Sequence, residues 1–168
     1  PQPGQHLQRA MGFYLHGQIE AGTLCPLTMT RAAAPLLQAE PFQEWAAKLD
    51  INQYDSSDQL MTEKSSVLLG MGMTEMQGGS DLRGCTTEAH PEAQAFRLYG
   101  HKWFFSVPQA DGHLVLAREH EQFSCFLMPR YTEYGLNRRY IRRLKDKLGN
   151  RSNASAEIDF DGALAWRV

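Results

Sequence analysis

The chain has 168 residues, with 17 Lys and Arg against 19 Asp and Glu, and its formal net charge of −2 excludes a generally basic protein built for polyanionic partners. Its three cysteines, Cys25, Cys85 and Cys125, form no C-x-x-C pair, which argues against a disulfide framework and a cysteine-based zinc site. These residues contain no N-terminal apolar h-region and no apolar run of roughly 18 residues, so we expect neither export nor membrane spanning. We therefore expect a cytoplasmic protein that does not enter membranes.

The first part of the chain carries a helical pattern. Apolar side chains recur at helical spacing from His6 to about Gly22, where a glycine is placed to end the helix. Thr30 can cap a second helix, RAAAPLLQAE, and PFQEWAAKL after Pro41 predicts a third, short one. The polar stretch 50–66 is rich in Asp, Ser and Asn and is typical of a connection.

From Val67 onward the pattern changes to short β-type runs separated by turn residues. The runs are VLLGMGM, TTEAH, AFRLYG, KWFFSV, HLVLAR, FSCFLMP, RRYIRRL and SAEIDF. Their spacing of about ten residues is typical of an antiparallel sandwich or barrel. The sequence therefore predicts an α+β chain with N-terminal helices and a connection at 1–66, and a β domain at 67–168.

The stretch GMGMTEMQGGSD, residues 70–81, carries the strongest chemical signal. Its apolar residues alternate as in a strand, and Gly78-Gly79 indicates a turn at which the backbone can approach another group closely. Thr74 and Ser80 place hydroxyls and backbone N–H groups on either side of this turn, which suits phosphates or the polar edge of a cofactor. On composition alone an ordinary hairpin is the favoured interpretation, because the run is neither a G-x-G-x-x-G nor a P-loop motif.

Several collinear segments resemble the flavin-dependent acyl-CoA dehydrogenases. MTEMQGGSD resembles the family's T-E-x-x-x-G-S-D signature, and YGHKWFFS resembles its G-x-K-x-W-I-T segment. FLMP is similar to its F-x-V-P strand, and KLGNRSNASAEIDFDGA to its K-x-G-x-R-x-S stretch before an F-x-D-V strand. With EAGTLCPLTMT upstream, the chain most resembles the AidB-like branch, which is associated with the bacterial response to DNA alkylation. The resemblance implies the end of an N-terminal helical domain followed by the middle, antiparallel β-barrel domain.

The resemblance also implies that FAD lies across the β domain. Met73 and Thr74 would meet the pyrimidine edge of the flavin, and Ser80 would bond the FAD pyrophosphate or the ligand, so Thr74 and Ser80 are implied substrate-binding residues too. Phe104 would pack against the ring, and Ser106 would donate its hydroxyl near N5, where a flavin that accepts hydride gains charge. The implied cofactor-binding residues are Met71, Gly72, Met73, Thr74, Glu75, Gly78, Gly79, Ser80, Phe104, Phe105 and Ser106.

Two positions depart from the family pattern. The usual Pro after T-E is Met76, and the usual Trp is Phe104. The neighbouring Trp103 is one residue out of register and, by strand alternation, should face the opposite side from Phe104. We expect FAD binding to be retained despite both changes. The substrate preference, in contrast, can differ from that of the family.

The resemblance places the catalytic base, a carboxylate, in a C-terminal helical domain that these residues do not include. We therefore expect a fragment without a catalytic residue of its own, inactive alone, from a homotetrameric enzyme that dehydrogenates an acyl-CoA-like substrate at its α,β bond. Glu75 and Asp81 are carboxylates near the first motif, but a capping or solvated role is more typical of such positions.

A second class of function stays open. The run RRYIRRLKDK, residues 138–147, has six basic residues in ten and can contact phosphates, although a solvated strand face explains it more simply. The alternative is a non-catalytic flavoprotein that binds nucleic acid in the DNA alkylation response, with DNA held mainly by the missing C-terminal region. A third possibility is an interaction module without flavin. The six histidines show no H-x-x-x-H or H-E-x-x-H pattern, so we expect no metal site.

Overall fold

The computed structural model describes residues 4–168. Three helices come first, and all the strands follow them. The helices are α1 (Gln5–Gly17), α2 (Leu24–Ala33), which a 3-10 turn at Ala34–Leu37 extends, and α3 (Gln43–Leu49). The strands are β1 (Leu69–Gly72), β2 (Glu88–Glu92), β3 (Ala95–Ser106), β4 (Gly112–Glu119), β5 (Gln122–Pro129), β6 (Tyr131–Thr132), β7 (Gly135–Leu136), β8 (Arg139–Leu144) and β9 (Ser155–Arg167). The predicted α+β class is confirmed, while the domain boundary after residue 66 stays a prediction.

The helices differ from the sequence prediction in two places. The first helix ends at Gly17 rather than Gly22, and the second begins at Leu24, so Thr30 lies inside it and is not its cap. The Thr30 hydroxyl instead accepts from the backbone N–H of Leu69 at 3.1 Å and donates to its carbonyl at 3.3 Å. The residue predicted to start a helix therefore ties α2 to β1. Among residues 4–168, no helix combines the length and apolarity that crossing a membrane demands.

The strands close into a barrel in the order β4, β5, β9, β3, β2, and β2 returns to β4 through the pairing of Glu88 with Arg118. Strand β1 pairs with β4 and is parallel to it, as is β2, whereas the remaining pairings of the described strands are antiparallel. Strand β8 adds to β9 along Arg139–Leu144. In this order β3 and β8 pair with opposite edges of the first half of β9, and the residues that follow β1 meet β3.

Alternation of side chains along β4 and β5 gives the sheet two buried faces. Val115 and Phe126 point into the barrel, and Leu114 and Leu127 point outward to the helices. The barrel interior consists of Ala89, Leu98, Phe105, Val115, Ala117, Phe126, Met128, Ala156, Ile158, Phe160, Ala163 and Ala165. The layer between helices and sheet consists of Ala33, Leu37, Phe42, Trp45, Ala46, Val67, Leu69, Leu114 and Leu127. The helices therefore cover one outer face of the barrel and leave another free.

Strand β3 unites two runs that the sequence analysis separated, AFRLYG and KWFFSV. Its pairing with β9 shifts register twice, between Leu98 and Tyr99 and between Lys102 and Phe105. At the second shift Lys102 pairs with Ile158 and Phe105 pairs with Ala156, so β3 has one residue more than β9 over the same length. Such a bulge turns side chains away from strict alternation.

Candidate functional site

The two motifs of the sequence meet through their backbones. The N–H of Trp103 on β3 donates to the carbonyl of Thr74, which follows β1, at 2.9 Å. After Thr74 the chain turns back at once, because Gly78 N–H donates to Glu75 O at 3.1 Å and closes a hairpin with Met76 and its neighbour at the tip. The tip therefore lies earlier than the predicted Gly78-Gly79 turn.

Both glycines of the motif have a structural reason to be glycine. Gly78 has φ +149°, a conformation that side chains rarely adopt, and it occupies the closing position of the hairpin. A Cβ on Gly79 would lie 2.8 Å from the Thr74 hydroxyl oxygen. The absence of that Cβ leaves room for the Thr74 hydroxyl beside the hairpin.

Glu75 lies beneath this hairpin in a buried polar cluster and is only 3% exposed. Its carboxylate receives seven hydrogen bonds of 2.6–3.0 Å from Gln77 Nε2, Cys85 Sγ, Thr86 N and Oγ1, Thr87 N and Oγ1, and Lys102 Nζ. The Lys102 ammonium is itself fully buried. The cluster thus ties the hairpin to the start of β2 and to the middle of β3.

The hydrogen bonds decide the charge of Glu75. Burial alone would raise the pKa of its carboxyl group, but the donors Cys85, Gln77, Lys102 and Thr87 together outweigh burial and hold the pKa well below its usual range. A carboxylate that keeps its charge so firmly is a poor proton acceptor. Glu75 is therefore suited to hold the hairpin and unsuited to act as a base.

The structure divides the predicted cofactor-binding residues into three groups by their exposure. Met73 and Phe104 expose 48% and 43% of their surface, and together with Gly78, Gly79 and Ser80 they face solvent, while Met71, Thr74 and Ser106 are half-buried. Gly72, Glu75 and Phe105 are buried, so the structure does not bring their side chains to this surface.

The buried group has its own packing role. A Cβ on Gly72 would lie 2.5 Å from the ring of Phe105, and that ring stacks on His113 with centroids 3.9 Å apart. Gly72 and Phe105 therefore shape the barrel interior behind the exposed surface. Because side chains alternate along a strand, the inward positions of Gly72 and Phe105 direct their neighbours Met71, Met73 and Phe104 outward.

The bulge in β3 overturns one expectation about the aromatic residues. Strand alternation predicted opposite sides for Trp103 and Phe104, yet the Nζ of Lys145 lies 3.2 Å from the Trp103 ring centroid and 4.6 Å from that of Phe104. The extra residue at the bulge lets both rings contact one ammonium group. Sequence reasoning missed Lys145, which was visible only as one member of a basic run.

Ser106 also gains partners that the sequence did not indicate. Its hydroxyl lies 3.2 Å from that of Ser155 on β9, which in turn accepts from Lys147 Nζ at 3.0 Å. The predicted donor near a cofactor is therefore part of a short polar chain of Ser106, Ser155 and Lys147.

The remaining charges of the basic run 138–147 are directed at the chain itself. Arg138 pairs with Asp161 at 2.9 Å, Arg142 pairs with Asp159, and Arg143 shares Glu157 with Lys145. Arg139 is buried, and burial together with Arg130 lowers its pKa to about 10. Arg138, Arg142 and Arg143 are thus exposed side chains that pair with carboxylates of β9.

Asp81, the other carboxylate near the motif, accepts from the Arg83 N–H at 3.1 Å and caps a 3-10 turn at Leu82–Gly84. This agrees with the capping role expected for it. Within the described part of the chain, no group of three His, Cys, Asp or Glu side chains is placed to hold a metal ion.

Comparison with known families accounts for the order of these motifs. Residues 70–163 match the family described as "Acyl-CoA dehydrogenase, middle domain", and residues 1–56 match "Adaptive response protein AidB N-terminal domain". The first match covers more than half of the chain, so the chain belongs to the acyl-CoA dehydrogenase family. It is 52% identical over 168 residues to an Escherichia coli (strain K12) protein named "Putative acyl-CoA dehydrogenase AidB", and the match covers 97% of this chain and 31% of that protein. The chain therefore spans about a third of the length of this relative.

Solved structures share the fold. The Caenorhabditis elegans protein ACDH-11, in complex with C11-CoA, matches with a TM-score of 0.73 and 32% identity over 86% of this chain and 26% of its own. An acyl-CoA dehydrogenase of Bacillus anthracis complexed with FAD matches with a TM-score of 0.50 and 24% identity over 56% of this chain and 16% of its own, which supports the fold alone.

Proposed function

We propose that this chain provides the flavin-binding surface of an FAD-dependent oxidoreductase that dehydrogenates an acyl-CoA thioester at its α,β bond. The observation that carries the proposal is the hydrogen bond from Trp103 N–H to Thr74 O, which joins the two motifs into one surface. Membership of the acyl-CoA dehydrogenase family supports FAD as the cofactor. The Caenorhabditis elegans neighbour, complexed with C11-CoA, supports an acyl-CoA ligand.

The surface has the chemistry that a flavin ring requires. Met73 and Phe104 expose large apolar side chains beside the hairpin, and an aromatic ligand can cover such groups. Thr74 and Ser106 add hydroxyls next to them, and Gly78, Gly79 and Ser80 leave the hairpin backbone open to phosphate oxygens. The residues present therefore fit FAD.

Bound FAD would supply the acceptor for the two electrons and the proton of a hydride. Thr74 and Ser106 would donate hydrogen bonds to the ring edge and fix its position, while Met73 and Phe104 would exclude water from its face. The low pKa and full set of donors of Glu75 exclude it as the base that removes the substrate proton. We assign the removal of that proton to a group outside these 168 residues, in agreement with the family resemblance.

The nucleic-acid alternative gains no support from the basic run 138–147. Arg138, Arg142 and Arg143 already pair with carboxylates of β9, so a phosphate would have to displace an ion pair at each position. The cytoplasmic location, the homotetramer and any role in the alkylation response stay predictions from the sequence and its family.

The first experiment is an FAD titration of the complete gene product, freed of flavin and followed by flavin fluorescence. We expect saturable binding that Thr74→Val weakens about two- to tenfold, the range of one lost hydrogen bond. Thr62→Val makes the same chemical change at an exposed position away from the surface and should leave the affinity unchanged. Absence of FAD binding, or equal affinities for the two variants, would contradict the site.

The second experiment addresses the reaction. Anaerobic addition of an acyl-CoA thioester to the flavin-loaded protein should bleach the flavin absorbance as hydride is transferred. An unchanged spectrum with acyl-CoA thioesters of short, medium and long chain would favour the non-catalytic flavoprotein.

A further inference from the structure

We propose that Lys145 is a cationic group that raises the reduction potential of the bound flavin. This inference rests on the proposed function, because it assumes that the flavin covers Phe104. Lys145 belongs to none of the motifs that indicated the flavin site, and it lies beside the bulge of β3.

Lys145 is held in place by its surroundings. Its backbone N–H donates to Ser155 O at 2.8 Å, its side chain is 9% exposed, and its Nζ lies against the face of Trp103 at 3.2 Å from the centroid. Cation–π attraction favours this placement. The same Nζ is 4.6 Å from the centroid of Phe104, the ring on which the flavin is proposed to pack. The ammonium is therefore a fixed charge close to the proposed flavin contact.

The positive charge at this place is not cancelled by its partner. Glu157, 5% exposed at its side chain, accepts from Lys145 at 2.7 Å and from Arg143 at 2.8 Å, so one carboxylate serves two cations. Lys147 adds a further ammonium nearby, bonded to Ser155 Oγ at 3.0 Å. The local sum of Lys145, Arg143, Lys147 and Glu157 is positive.

A fixed positive charge changes the equilibrium of hydride uptake. The oxidised flavin ring is neutral, and addition of a hydride leaves it with one negative charge unless it also takes up a proton. A buried ammonium acts through a medium that screens it less than water does. It therefore stabilises the reduced ring more than the oxidised ring, which raises the potential.

The test measures the flavin midpoint potential of the complete, flavin-loaded gene product by equilibration with a reference dye. Lys145→Met removes the charge and keeps most of the aliphatic chain over Trp103. We expect the equilibrium constant for two-electron reduction of the flavin to fall at least tenfold. This corresponds to a shift of the midpoint potential by about 30 mV to a more negative value. Lys145→Gln should give the same shift, and Lys145→Arg, which keeps the charge, should retain the wild-type potential.

Arg143→Gln is the matched control. This variant also removes one of the two cations that pair with Glu157. The Arg143 side chain, however, is 65% exposed, and its guanidinium carbon is 5.8 Å from the Trp103 ring centroid. We expect its effect on the equilibrium to be less than threefold because water screens that charge.

Each outcome is decisive. The role of Lys145 is overturned if flavin-loaded Lys145→Met keeps the wild-type potential, or if its shift equals that of Arg143→Gln. Either result leaves the proposed function intact. A wild-type protein that holds no flavin overturns the proposed function and this inference with it. Potentials that follow charge at position 145, with thermal unfolding of the variants unchanged, support the inference.

Discussion

Two regions of this barrel contain similar ion pairs that contribute differently to the stability of the fold. Beneath the first motif, Glu75 and Lys102 are both buried, and the Glu75 carboxylate accepts further hydrogen bonds from its neighbours. Just before β8, Arg138 pairs with Asp161 of β9 at a similar distance, and each side chain is more than half exposed. Exposed pairs contribute about 0.2–1 kcal/mol, whereas removing one partner of a buried pair costs about 3–5 kcal/mol. Burial, more than the number of ion pairs, therefore decides which charges hold the site together.

The largest expected effect is at Lys102. Lys102→Met should lower the free energy of unfolding by about 3–5 kcal/mol, because it leaves the Glu75 carboxylate buried without its cation. Urea unfolding of the chain measures the loss. The double variant Glu75→Gln, Lys102→Met should lose less than the sum of the single variants, since the two side chains interact directly. Additive losses would show that the two charges are not coupled.

The pH dependence sharpens the comparison. Above about pH 4.5, the usual value for glutamate, Glu75 is ionised in the folded and the unfolded chain. Below that pH the unfolded chain binds a proton that the folded chain does not, so stability falls as pH falls toward the depressed pKa of the folded state.

Glu75→Gln removes this contribution. Its stability should therefore depend on pH less steeply than that of the wild type, by up to about 1.4 kcal/mol per pH unit below pH 4.5. Urea unfolding of both proteins between about pH 5 and pH 3 measures the two slopes. Parallel slopes would mean that another group dominates the acid response.

The smallest effect is expected on the exposed strand pair. Arg138→Gln should change the free energy of unfolding by no more than about 1 kcal/mol, because water already solvates both Arg138 and Asp161. The change should shrink further in high salt. A loss as large as that of Lys102→Met would refute the distinction between the two regions.

The sequence predicted the features that depend on local pattern. The α+β class, the short helix at Gln43–Leu49 and the strands before and after each turn follow from periodicity and turn residues, and the family follows from the order of motifs. The cap predicted at Thr30 failed because its hydroxyl is used by Leu69, which is distant in sequence.

The features of the site that were missed depend on pairing between strands. The contact of Trp103 and Phe104 with one lysine requires the register shift against β9, and no local pattern in β3 reveals that shift. The burial of Glu75 likewise depends on Thr86, Thr87 and Lys102, which only the closed barrel brings together. Sequence position alone grouped Glu75 with the surface residues beside it.

The hydrogen bond between Trp103 N–H and Thr74 O has a consequence for variation at this site. It joins main-chain atoms, and every amino acid except proline can supply the N–H group. The alignment of the two motifs can therefore persist while side chains change, as with Phe104 and Met76, where this chain departs from the family pattern. The backbone geometry of the site does not depend on the side chains that face the ligand. Substitutions of those side chains can therefore change the ligand preference while the surface itself is retained.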